Sequence, residues 1–487
     1  MKLLLTLVLS TLFLMAQTHS EDSTKQAIVK IYTTAQIPNY QVPWSSTMQS
    51  YTGSGAIIEG GYILTNAHVV ANQAFIEVQR YGQRKRYIAK VYAVSHQADL
   101  ALLKVKEKAF FKGVTPLAFG MLPEVEQKIV VYGYPMGGST LSATIGVVSR
   151  VEHHVYAHSG ESFLAVQVDA AVNPGNSGGP ALSHGKIVGV VMQVITKSQN
   201  IGYLVPVSMV KHFIEDMKDG KYDGMADIGL GTQKLENPAI RSYYGLDDNI
   251  SGKLINKVVH NSTLYGILKE GDILTVVDGH NIEDDGTVEF RKHEYTHFHY
   301  FIDKHQMGES VAFDVIRDRK PMHVEAKLKN RADDMYLVKT TRYDTMPTYF
   351  ILGGYIFSPL TRNLILSTSR NRLKLSYLAS KWQEEDKSEV VVLLKVLASD
   401  MSRGDNDFGM WPIDKVNGET FKNFKEFYEK VNAVTGKYVV LEDKDGVKVI
   451  INREEARAKQ SSILKKYNIE FDKSIDLRGN EEVCKTK

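Results

Sequence analysis

The sequence predicts a mainly β protein of about three domains, on the evidence of its length and its many short apolar segments. At roughly 150 residues per domain, 487 residues correspond to about three domains. Hydrophobic residues make up 43% of the chain, which is enough for several cores and excludes a disordered protein. Between residues 27 and 207, short alternating or apolar runs are separated by Gly, Pro and Asn, a pattern typical of a β-barrel or β-sandwich.

The composition excludes several classes of function. Lys and Arg number 59 against 56 Asp and Glu, so the net charge is +3 and no basic excess indicates a nucleic-acid partner. The one cysteine, Cys484, excludes an intrachain disulfide framework and Cys-based metal sites. Because Cys484 lies in the C-terminal tail, the expected nucleophile is a serine and not this cysteine. No cofactor is predicted.

Residues 1–20 are predicted to be a secretory signal peptide. Lys2 gives a positive start, residues 3–15 are almost entirely apolar, and the small residues Thr18 and Ser20 stand at the expected cleavage site. The apolar run is shorter than the roughly 20 residues that span a bilayer, and no later segment reaches that length. No integral membrane span is therefore expected after cleavage, and an uncleaved anchor is the alternative. Because a secreted chain without disulfides suits a bacterial periplasm, we expect a periplasmic location.

The periodicity changes at Ser208, which is predicted to cap a helix that closes the first domain. Apolar residues then recur at helical spacing up to a stop at Gly220; they are Met209, Val210, Phe213, Ile214 and Met217. Two further units follow, one with the turn Asp278-Gly279 and one with the turn Asn417-Gly418. The predicted division is a signal peptide (1–20), a first domain (21–222), a second domain (223–330), a linker (331–347) and a third domain (348–487).

Three motifs in the β-rich region carry side chains suited to nucleophilic catalysis. His68 lies in Thr-Asn-Ala-His-Val-Val after a strand, Asp99 opens another strand, and Ser177 lies in Gly-Asn-Ser-Gly-Gly-Pro between two strands. Serine is a poor nucleophile unless a histidine removes its proton and a carboxylate orients that histidine. The backbone N–H groups of Gly175, Asn176 and Ser177 are predicted to form the oxyanion hole, since glycine allows the dihedral angles that converging amides need.

The loop around Ser177 also matches the G-x-S-x-G nucleophile elbow of α/β-hydrolases. An elbow leads from a strand into a helix, and its residues follow the chain order Ser, acid, His. Here Gly178, Gly179 and Pro180 oppose a helix, and residues 186–194 have the pattern of a strand. The order is also His, Asp, Ser, so the hydrolase interpretation is the weaker one.

The three motifs and their order resemble those of the HtrA/Deg (Do-like) family of chymotrypsin-fold serine proteases. Residues 200–206, NIGYLVP, resemble the family's strand before its closing helix, and Ile228-Gly229-Leu230-Gly231 resembles the carboxylate-binding loop of a PDZ domain. Residues 349–360, with Gly353-Gly354, resemble the divergent second PDZ domain of plant-type Deg proteases and their bacterial relatives. The resemblance implies a chymotrypsin-like double β-barrel protease domain followed by two PDZ-like α+β domains.

The resemblance further implies an ATP-independent serine endopeptidase of protein quality control. It implies cleavage of misfolded or unfolded proteins after small aliphatic residues. Six positions before Ser177 the sequence has Ala171 instead of the acid on which a preference for Lys or Arg depends. Gln193 and Ile195 are further candidates for the walls of the specificity pocket.

The loop at residues 228–231 is expected to bind the C-terminal carboxylate of a peptide that adds to a sheet edge. The alternative interpretation is a glycine-rich segment that leads into a strand and binds no peptide. The family resemblance also implies homo-oligomers built on trimers of the protease domain. A second hypothesis for the whole chain is a chaperone or scaffold that acts mainly by binding peptides, which is compatible with proteolysis.

Residues 293–297, His-Glu-Tyr-Thr-His, match the H-E-x-x-H motif of zinc metalloproteases. That motif needs both histidines on one helix face, a third ligand and an open site. Here it falls in the second domain among aromatic residues that are predicted to pack a short helix on a sheet: Phe290, Phe298, Tyr300 and Phe301. No metal site is predicted.

Overall fold

The N-terminal part of the molecule consists of two closed β-barrels. The computed structural model describes residues 23–135, 140–156, 158–194 and 201–478 of the chain. Six antiparallel strands form the first barrel: β1 (Ile28–Pro38), β2 (Ser46–Ile58), β3 (Tyr62–Thr65), β4 (Gln73–Arg80), β5 (Tyr87–Ser95) and β6 (Leu100–Val105). They pair in the order β1-β2-β3-β6-β5-β4.

The second barrel has the same number of antiparallel strands. They are β7 (Lys128–Gly133), β8 (Ser142–Val155), β9 (Ser162–Val168), β10 (Pro180–Ser183), β11 (Lys186–Val194) and β12 (Gly202–Pro206), paired in the order β10-β11-β12-β9-β8-β7. Aliphatic side chains fill both barrels, and Ile31, Leu103, Val166 and Leu204 are completely buried. The prediction of a mainly β chain with a double-barrel domain is confirmed.

A helix follows the second barrel and begins slightly earlier than predicted. α1 (Val207–Asp216) starts directly after Pro206, and Ser208 lies in its first turn instead of capping it. A proline can precede a helix because it leaves no N–H group without a partner there. A 3₁₀ turn then continues the helix to Gly220, whose φ of 86° ends it at the predicted residue.

The second predicted domain is an α+β unit. Its strands are β13 (Leu230–Lys234), β14 (Lys253–Val258), β15 (Ile273–Val277), β16 (His280–Asn281), β17 (Thr287–Arg291), β18 (Glu294–His297), β19 (Ser310–Arg317) and β20 (Lys320–Lys327). The main sheet has the order β13-β14-β15-β19-β20 with β16 paired to β15, and β17 and β18 form a separate hairpin. Its helices are α2 (Pro238–Tyr244) and α3 (His299–Ile302). A bridge between Asp227 and Asn330 joins the two ends of the unit.

Residues 331–347, predicted as a polar linker, are packed against the rest of the molecule. They include α4 (Ala332–Met335) and the completely buried Val338, which belongs to the apolar core of the C-terminal unit. Asp344 exchanges two hydrogen bonds with Asn72 of the first barrel, accepting from its backbone N–H and donating its own N–H to the Asn72 side chain. The predicted linker therefore makes tertiary contacts on both sides, which its composition does not indicate.

The C-terminal unit is built on two four-stranded antiparallel sheets. The first, in the order β21-β22-β23-β24, contains β21 (Phe350–Leu352), β22 (Tyr355–Pro359), β23 (Val391–Val396) and β24 (Gly409–Ile413). The second, in the order β26-β25-β27-β28, contains β25 (Lys415–Val416), β26 (Glu419–Thr420), β27 (Tyr438–Glu442) and β28 (Lys448–Asn452). The helices here are α5 (Arg362–Leu366), α6 (Arg372–Ala379), α7 (Phe424–Ala433) and α8 (Arg453–Lys466).

Both predicted two-residue turns occur in the structure. Asp278-Gly279 connects β15 to β16, and Asn417-Gly418 connects β25 to β26. All of these residues have positive φ angles, from 48° to 86°. Such angles at both central positions define the hairpin turn that matches the twist of its strands, which explains the Asp-Gly and Asn-Gly pairs.

Candidate active site

His68 and Asp99 are brought together by the pairing of two strands of the first barrel. His68 follows the end of β3, and Asp99 immediately precedes β6. These strands pair antiparallel, with Thr65 opposite Ala101, so the end of one lies beside the start of the other. Two residues that are 31 positions apart in sequence therefore meet at one end of the barrel.

Asp99 is completely buried and is held through both its backbone and its carboxylate. The side-chain amide of Asn66 donates to the Asp99 carbonyl at 2.8 Å. Asp99 has a φ of 54°, a left-handed conformation that aspartate tolerates better than most residues. Its Oδ1 accepts the backbone N–H of His68 at 2.9 Å, and its Oδ2 lies 2.8 Å from His68 Nδ1.

The ring of His68 has the geometry of a general base. Its Nδ1 faces the Asp99 carboxylate and donates its proton there, which leaves Nε2 as the acceptor. Burial lowers the pKa of His68, but the charge of Asp99 and the hydrogen bond to it outweigh burial. The pKa of His68 therefore lies above its ordinary value of 6.5.

Ser177 lies in the loop between β9 and β10, pressed against the first barrel. Ser54 of β2 donates its backbone N–H to the Ser177 carbonyl at 2.9 Å and its hydroxyl to the Gly175 carbonyl at 2.7 Å. Gly178 has a φ of 82°, and a Cβ there would come within 2.2 Å of the Ser54 carbonyl oxygen and of Thr65 Oγ1. Glycine is required at this position, because the loop lies so close to the backbone of β2 and to the Thr65 side chain at the end of β3.

The backbone of this loop leaves two N–H groups free to form an oxyanion hole. Those of Gly175 and Ser177 have no hydrogen-bond partner among the described residues, whereas that of Asn176 donates to the Asn173 carbonyl at 3.0 Å. Gly175 has a φ of 98°, which again favours glycine. The prediction that Asn176 also contributes is corrected, because its N–H is already used in a local turn.

Among the described residues, no hydrogen bond joins the Ser177 side chain to the His68 ring. Within the described part of the chain, the His68 ring has hydrogen-bond partners in Asp99 and Tyr156, and Ser177 Oγ is not among them. In free enzymes this contact is often long and shortens when substrate binds. Among the described residues, the His68–Asp99 pair is therefore formed without a hydrogen bond from Ser177.

Aromatic residues that the sequence analysis did not single out surround the His–Asp pair. The Tyr156 hydroxyl donates to Asp99 Oδ2 at 2.5 Å and lies 3.2 Å from His68 Nδ1. The centroid of the His158 ring lies 5.9 Å from that of the His68 ring. The ring of Tyr343 stacks on His158, with 4.2 Å between centroids. An aromatic residue in a hairpin loop carries no periodic signal, so sequence reasoning had no means to find these contacts.

A cleft of 790 Å³ opens beside His68, between the first barrel and the C-terminal unit. The barrel lines it with Tyr40 and Tyr51, and the C-terminal unit lines it with Tyr343 and Leu366. This volume is in the range of sites that bind a small ligand or a short stretch of peptide. The C-terminal unit thus forms part of the wall of the cleft that contains His68.

The predicted specificity pocket is described only in part. Ala171 is exposed and presents no charge. The backbone of Gln193 pairs with Tyr203 across β11 and β12. The side chain of Gln193 and the whole of Ile195 lie outside the described residues.

The predicted carboxylate-binding loop lies at the start of an edge strand. Ile228 is completely buried, Gly229 has a φ of 67°, and Leu230 and Gly231 begin β13. β13 is the outermost strand of its sheet and is paired on one side by β14. The N–H of Gly229 donates to the Asp227 side chain at 2.7 Å. The Gly229 N–H therefore already has an acceptor within the protein.

The H-E-x-x-H segment does not form the helix that a zinc metalloprotease requires. Glu294–His297 is the strand β18, and His293 lies in the turn before it with a φ of 63°, so the two histidines do not share a helix face. The described residues contain no group of three or more His, Cys, Asp or Glu side chains that could hold a metal ion. The predicted short helix is α3, which begins after this segment, with Phe298 and Phe301 buried against the sheet.

Comparison with family models identifies two kinds of domain in the chain. Residues 53–190 match the trypsin-like peptidase domain. Residues 338–476 match a PDZ domain, beginning inside the segment that was predicted as a linker. The matched ranges correspond to most of the two barrels and to the C-terminal unit.

Known proteins are similar to the chain over nearly its whole length. Protease Do-like 2, chloroplastic, of Arabidopsis thaliana is 36% identical over 462 residues, which cover 93% of this chain and 75% of the relative. Protease Do-like 4, mitochondrial, of the same organism is 35% identical over 461 residues, covering 94% and 87%. Among solved structures, a variant of the HtrA-type protease AlgW with a decapeptide has a TM-score of 0.52 and 20% identity. That alignment covers 64% of this chain and 97% of the other, and it shows a shared fold.

Proposed function

The chain is a serine endopeptidase of the HtrA (Do-like) family, and we propose that Ser177, His68 and Asp99 form its catalytic triad. In this mechanism Ser177 Oγ attacks the carbonyl carbon of a peptide bond while His68 Nε2 takes its proton. Asp99 keeps the proton on Nδ1 and stabilises the imidazolium, and the N–H groups of Gly175 and Ser177 bind the oxyanion. His68 then protonates the leaving amine, and water releases the acyl group by the same route.

The hydrogen-bonded pair of His68 and Asp99 supports the triad most directly. The carboxylate is completely buried, and its Oδ2 lies 2.8 Å from His68 Nδ1. A buried carboxylate that faces one imidazole nitrogen leaves the other nitrogen free to accept a proton. The glycine-rich loop that carries Ser177 lies against the end of β3, from which His68 follows, so the pair and the nucleophile belong to one site.

Covalent labelling tests this assignment of the nucleophile. Diisopropyl fluorophosphate is expected to inactivate the protein and to modify Ser177, because the reagent requires a serine activated by a base. The modified peptide is identified by mass spectrometry, and protein unfolded in urea is the unlabelled control. Labelling at another serine with Ser177 unmodified, or full inactivation by a chelator without labelling, would refute the triad.

The pH dependence of activity should reflect the raised pKa of His68. The ring must be neutral to accept a proton, so kcat/KM is expected to fall as the pH decreases through a midpoint above 6.5. His158 lies nearby, but burial lowers its pKa to about 4, so it does not titrate in this range. The profile is measured with a peptide substrate, and His158→Gln is the control with an unchanged midpoint. A wild-type midpoint below 6.5 contradicts the assignment.

The proposed substrates are misfolded or unfolded proteins, cleaved without ATP after small aliphatic residues in protein quality control. The uncharged Ala171 supports this preference, because selection of Lys or Arg depends on an acid in the pocket. Unfolded chains also supply the extended backbone that can add to the edge of β13. The loop at residues 228–231 is proposed to bind peptide carboxylates there, with the peptide terminus replacing the Asp227 side chain as the acceptor of the Gly229 N–H. That exposed edge also favours a second candidate function, a chaperone or scaffold that acts mainly by peptide binding.

Assembly and domain division are also part of the proposal. We propose a homo-oligomer built on trimers of the protease domain. The Asp227–Asn330 bridge supports a boundary on each side of the second domain. The proposed domains are a protease domain (21–222), a PDZ domain (223–330), a connecting segment (331–347) and a divergent PDZ-like domain (348–487).

The N-terminal residues and the relatives bear on the cellular location. In the described part of the chain, no helix combines the length and the apolar character needed to cross a membrane. The relatives compared above are named as chloroplastic and mitochondrial proteins, which does not support the predicted periplasmic location. Residues 1–20 lie outside the described residues, and we propose that they are a cleaved signal peptide. N-terminal sequencing of the mature protein tests this.

A further inference from the structure

Tyr156 occupies a fixed position at the end of β8, in the hairpin loop that leads to β9. Its side chain is 2% exposed. Its backbone N–H donates to the Glu161 carbonyl at 2.8 Å, and its carbonyl accepts the N–H of Gly160 at 2.7 Å. Its ring packs near Phe163, with 6.1 Å between centroids. Backbone and ring are both held, so the direction of the phenol is determined by the loop.

The phenol hydroxyl of Tyr156 points at the buried carboxylate of Asp99. The distance to Oδ2 is 2.5 Å, which is typical of a hydroxyl donating to a charged oxygen. His68 Nδ1 lies 3.2 Å away, but its own proton is donated to Asp99, so the phenol proton goes to the carboxylate. Burial, together with the charge of Asp99, raises the pKa of Tyr156 far above its ordinary range, so the hydroxyl stays protonated.

The Asp99 carboxylate accepts hydrogen bonds from both barrels. The His68 backbone and ring approach it from the first barrel, and Tyr156, 57 residues away in sequence, approaches from the second. The two His68 donors use one carboxylate oxygen each, and both come from the first barrel. The Tyr156 hydroxyl adds a donor to Oδ2 from the second barrel and restricts the orientation of the carboxylate further. It also joins the barrel that carries His68 to the barrel that carries Ser177.

We propose that Tyr156 is a positioning residue of the triad: its hydroxyl holds the Asp99 carboxylate in the orientation that directs His68 toward Ser177. The inference rests on the proposed function, since it has meaning only if these residues form the triad. The bond crosses the contact between the two barrels, so Tyr156 relates the His–Asp pair to the nucleophile. It acts through Asp99 and touches neither the substrate nor the reacting atoms.

The variant Tyr156→Phe tests this role, because it removes the hydroxyl and keeps the packed ring. We expect kcat/KM at the pH plateau to fall about tenfold, mainly through kcat, since a hydrogen bond to a charged group is lost. We also expect the acid limb of the pH profile to move to higher pH. With one donor fewer, the negative charge of the carboxylate is less compensated and stabilises the protonated form of His68 more strongly. A purely structural role would leave that midpoint in place.

Tyr355→Phe is a matched control. Tyr355 is also buried, and its hydroxyl also donates to a carboxylate oxygen, Asp405 Oδ2, at 2.5 Å, but it lies in the C-terminal unit. The control is expected to keep the wild-type kcat and pH midpoint. If Tyr156→Phe behaves like this control, or loses activity through KM alone, the proposal is wrong. Labelling of wild-type protein at Ser177 is unaffected by that result, so failure of the inference is distinguished from failure of the triad.

Replacement of Tyr156 by 3-fluorotyrosine gives a second test that keeps the ring and the hydroxyl in place. Fluorine makes the phenol more acidic and therefore a stronger donor to Asp99. The acid limb is then expected to move to lower pH, opposite to the shift in Tyr156→Phe. A midpoint equal to that of the wild type would overturn the proposal, even if the phenylalanine variant failed to fold.

Discussion

The variant Ser177→Ala is expected to lose casein cleavage, with kcat reduced on the order of 10⁶-fold, as is typical for removal of a triad nucleophile. Alanine lacks the oxygen that attacks the carbonyl carbon, so His68 has no proton to accept. The fold should be unaffected, because Ser54 holds the backbone of the loop by its bonds to the carbonyls of Gly175 and Ser177. Fluorescent casein measures cleavage, and the melting temperature verifies the fold.

The matched control for this experiment is Ser162→Ala, an exposed serine at the start of β9. It is expected to retain wild-type activity. Cleavage by Ser177→Ala at more than a small fraction of the wild-type rate would contradict the nucleophile assignment. The same variant separates the two candidate functions. If Ser177→Ala suppresses the aggregation of an unfolded protein, a chaperone activity is supported. If it does not, the chaperone hypothesis is wrong.

The variant Asp99→Asn is expected to lower kcat about 10⁴-fold at neutral pH. The His68 backbone N–H, His68 Nδ1 and the Tyr156 hydroxyl all donate to this side chain. An amide NH₂ cannot accept a hydrogen bond, so it must face one of these donors or force the ring into the other tautomer. In the other tautomer Nε2 carries the proton and cannot accept the one from Ser177, which is the expected cause of the loss of activity. Because a buried donor also loses its partner, we expect destabilisation by about 1–3 kcal/mol in urea unfolding.

Asp314→Asn is the control for Asp99→Asn. Asp314 Oδ1 also lies close to a histidine nitrogen, 2.6 Å from His323 Nδ1, but both side chains are exposed, at 46% and 61%. Exposed pairs contribute little, so this variant should match the wild type in kcat and in stability. Equal behaviour of the two asparagine variants would show that Asp99 does not act on His68.

The residues of the proposed triad could be selected from the sequence because each belongs to a local motif with a chemical reason. The glycines beside Ser177 illustrate this: a Cβ at Gly178 would approach two oxygens of the first barrel within 2.2 Å. That steric requirement is visible in the sequence as an unusual density of glycine. The hairpin turns were predictable for the same reason, since Asp278-Gly279 and Asn417-Gly418 both need positive φ angles.

Composition does not indicate the tertiary contacts of a segment. Residues 331–347 are polar and were predicted to be a linker, with no indication of what they pack against. The structure instead buries Val338 in a core and joins Asp344 to Asn72. Asn176 shows the same limit on a smaller scale. From the sequence, the N–H of Asn176 was grouped with those of Gly175 and Ser177 in the proposed oxyanion hole. In the structure the Asn176 N–H donates to the Asn173 carbonyl instead.

The sequence by itself determined the mainly β fold class, the family and the candidate nucleophile, base and acid, because those depend on residue type and short-range spacing. The tertiary structure decided which donors surround Asp99 and which walls border the cleft. Tyr156 reaches Asp99 across 57 positions, and Tyr343 donates to the His158 carbonyl across 185. Contacts between the barrels and the C-terminal unit arise when secondary-structure elements pack together. Neither periodicity nor motif spacing in the sequence indicates which side chains then come within hydrogen-bond distance.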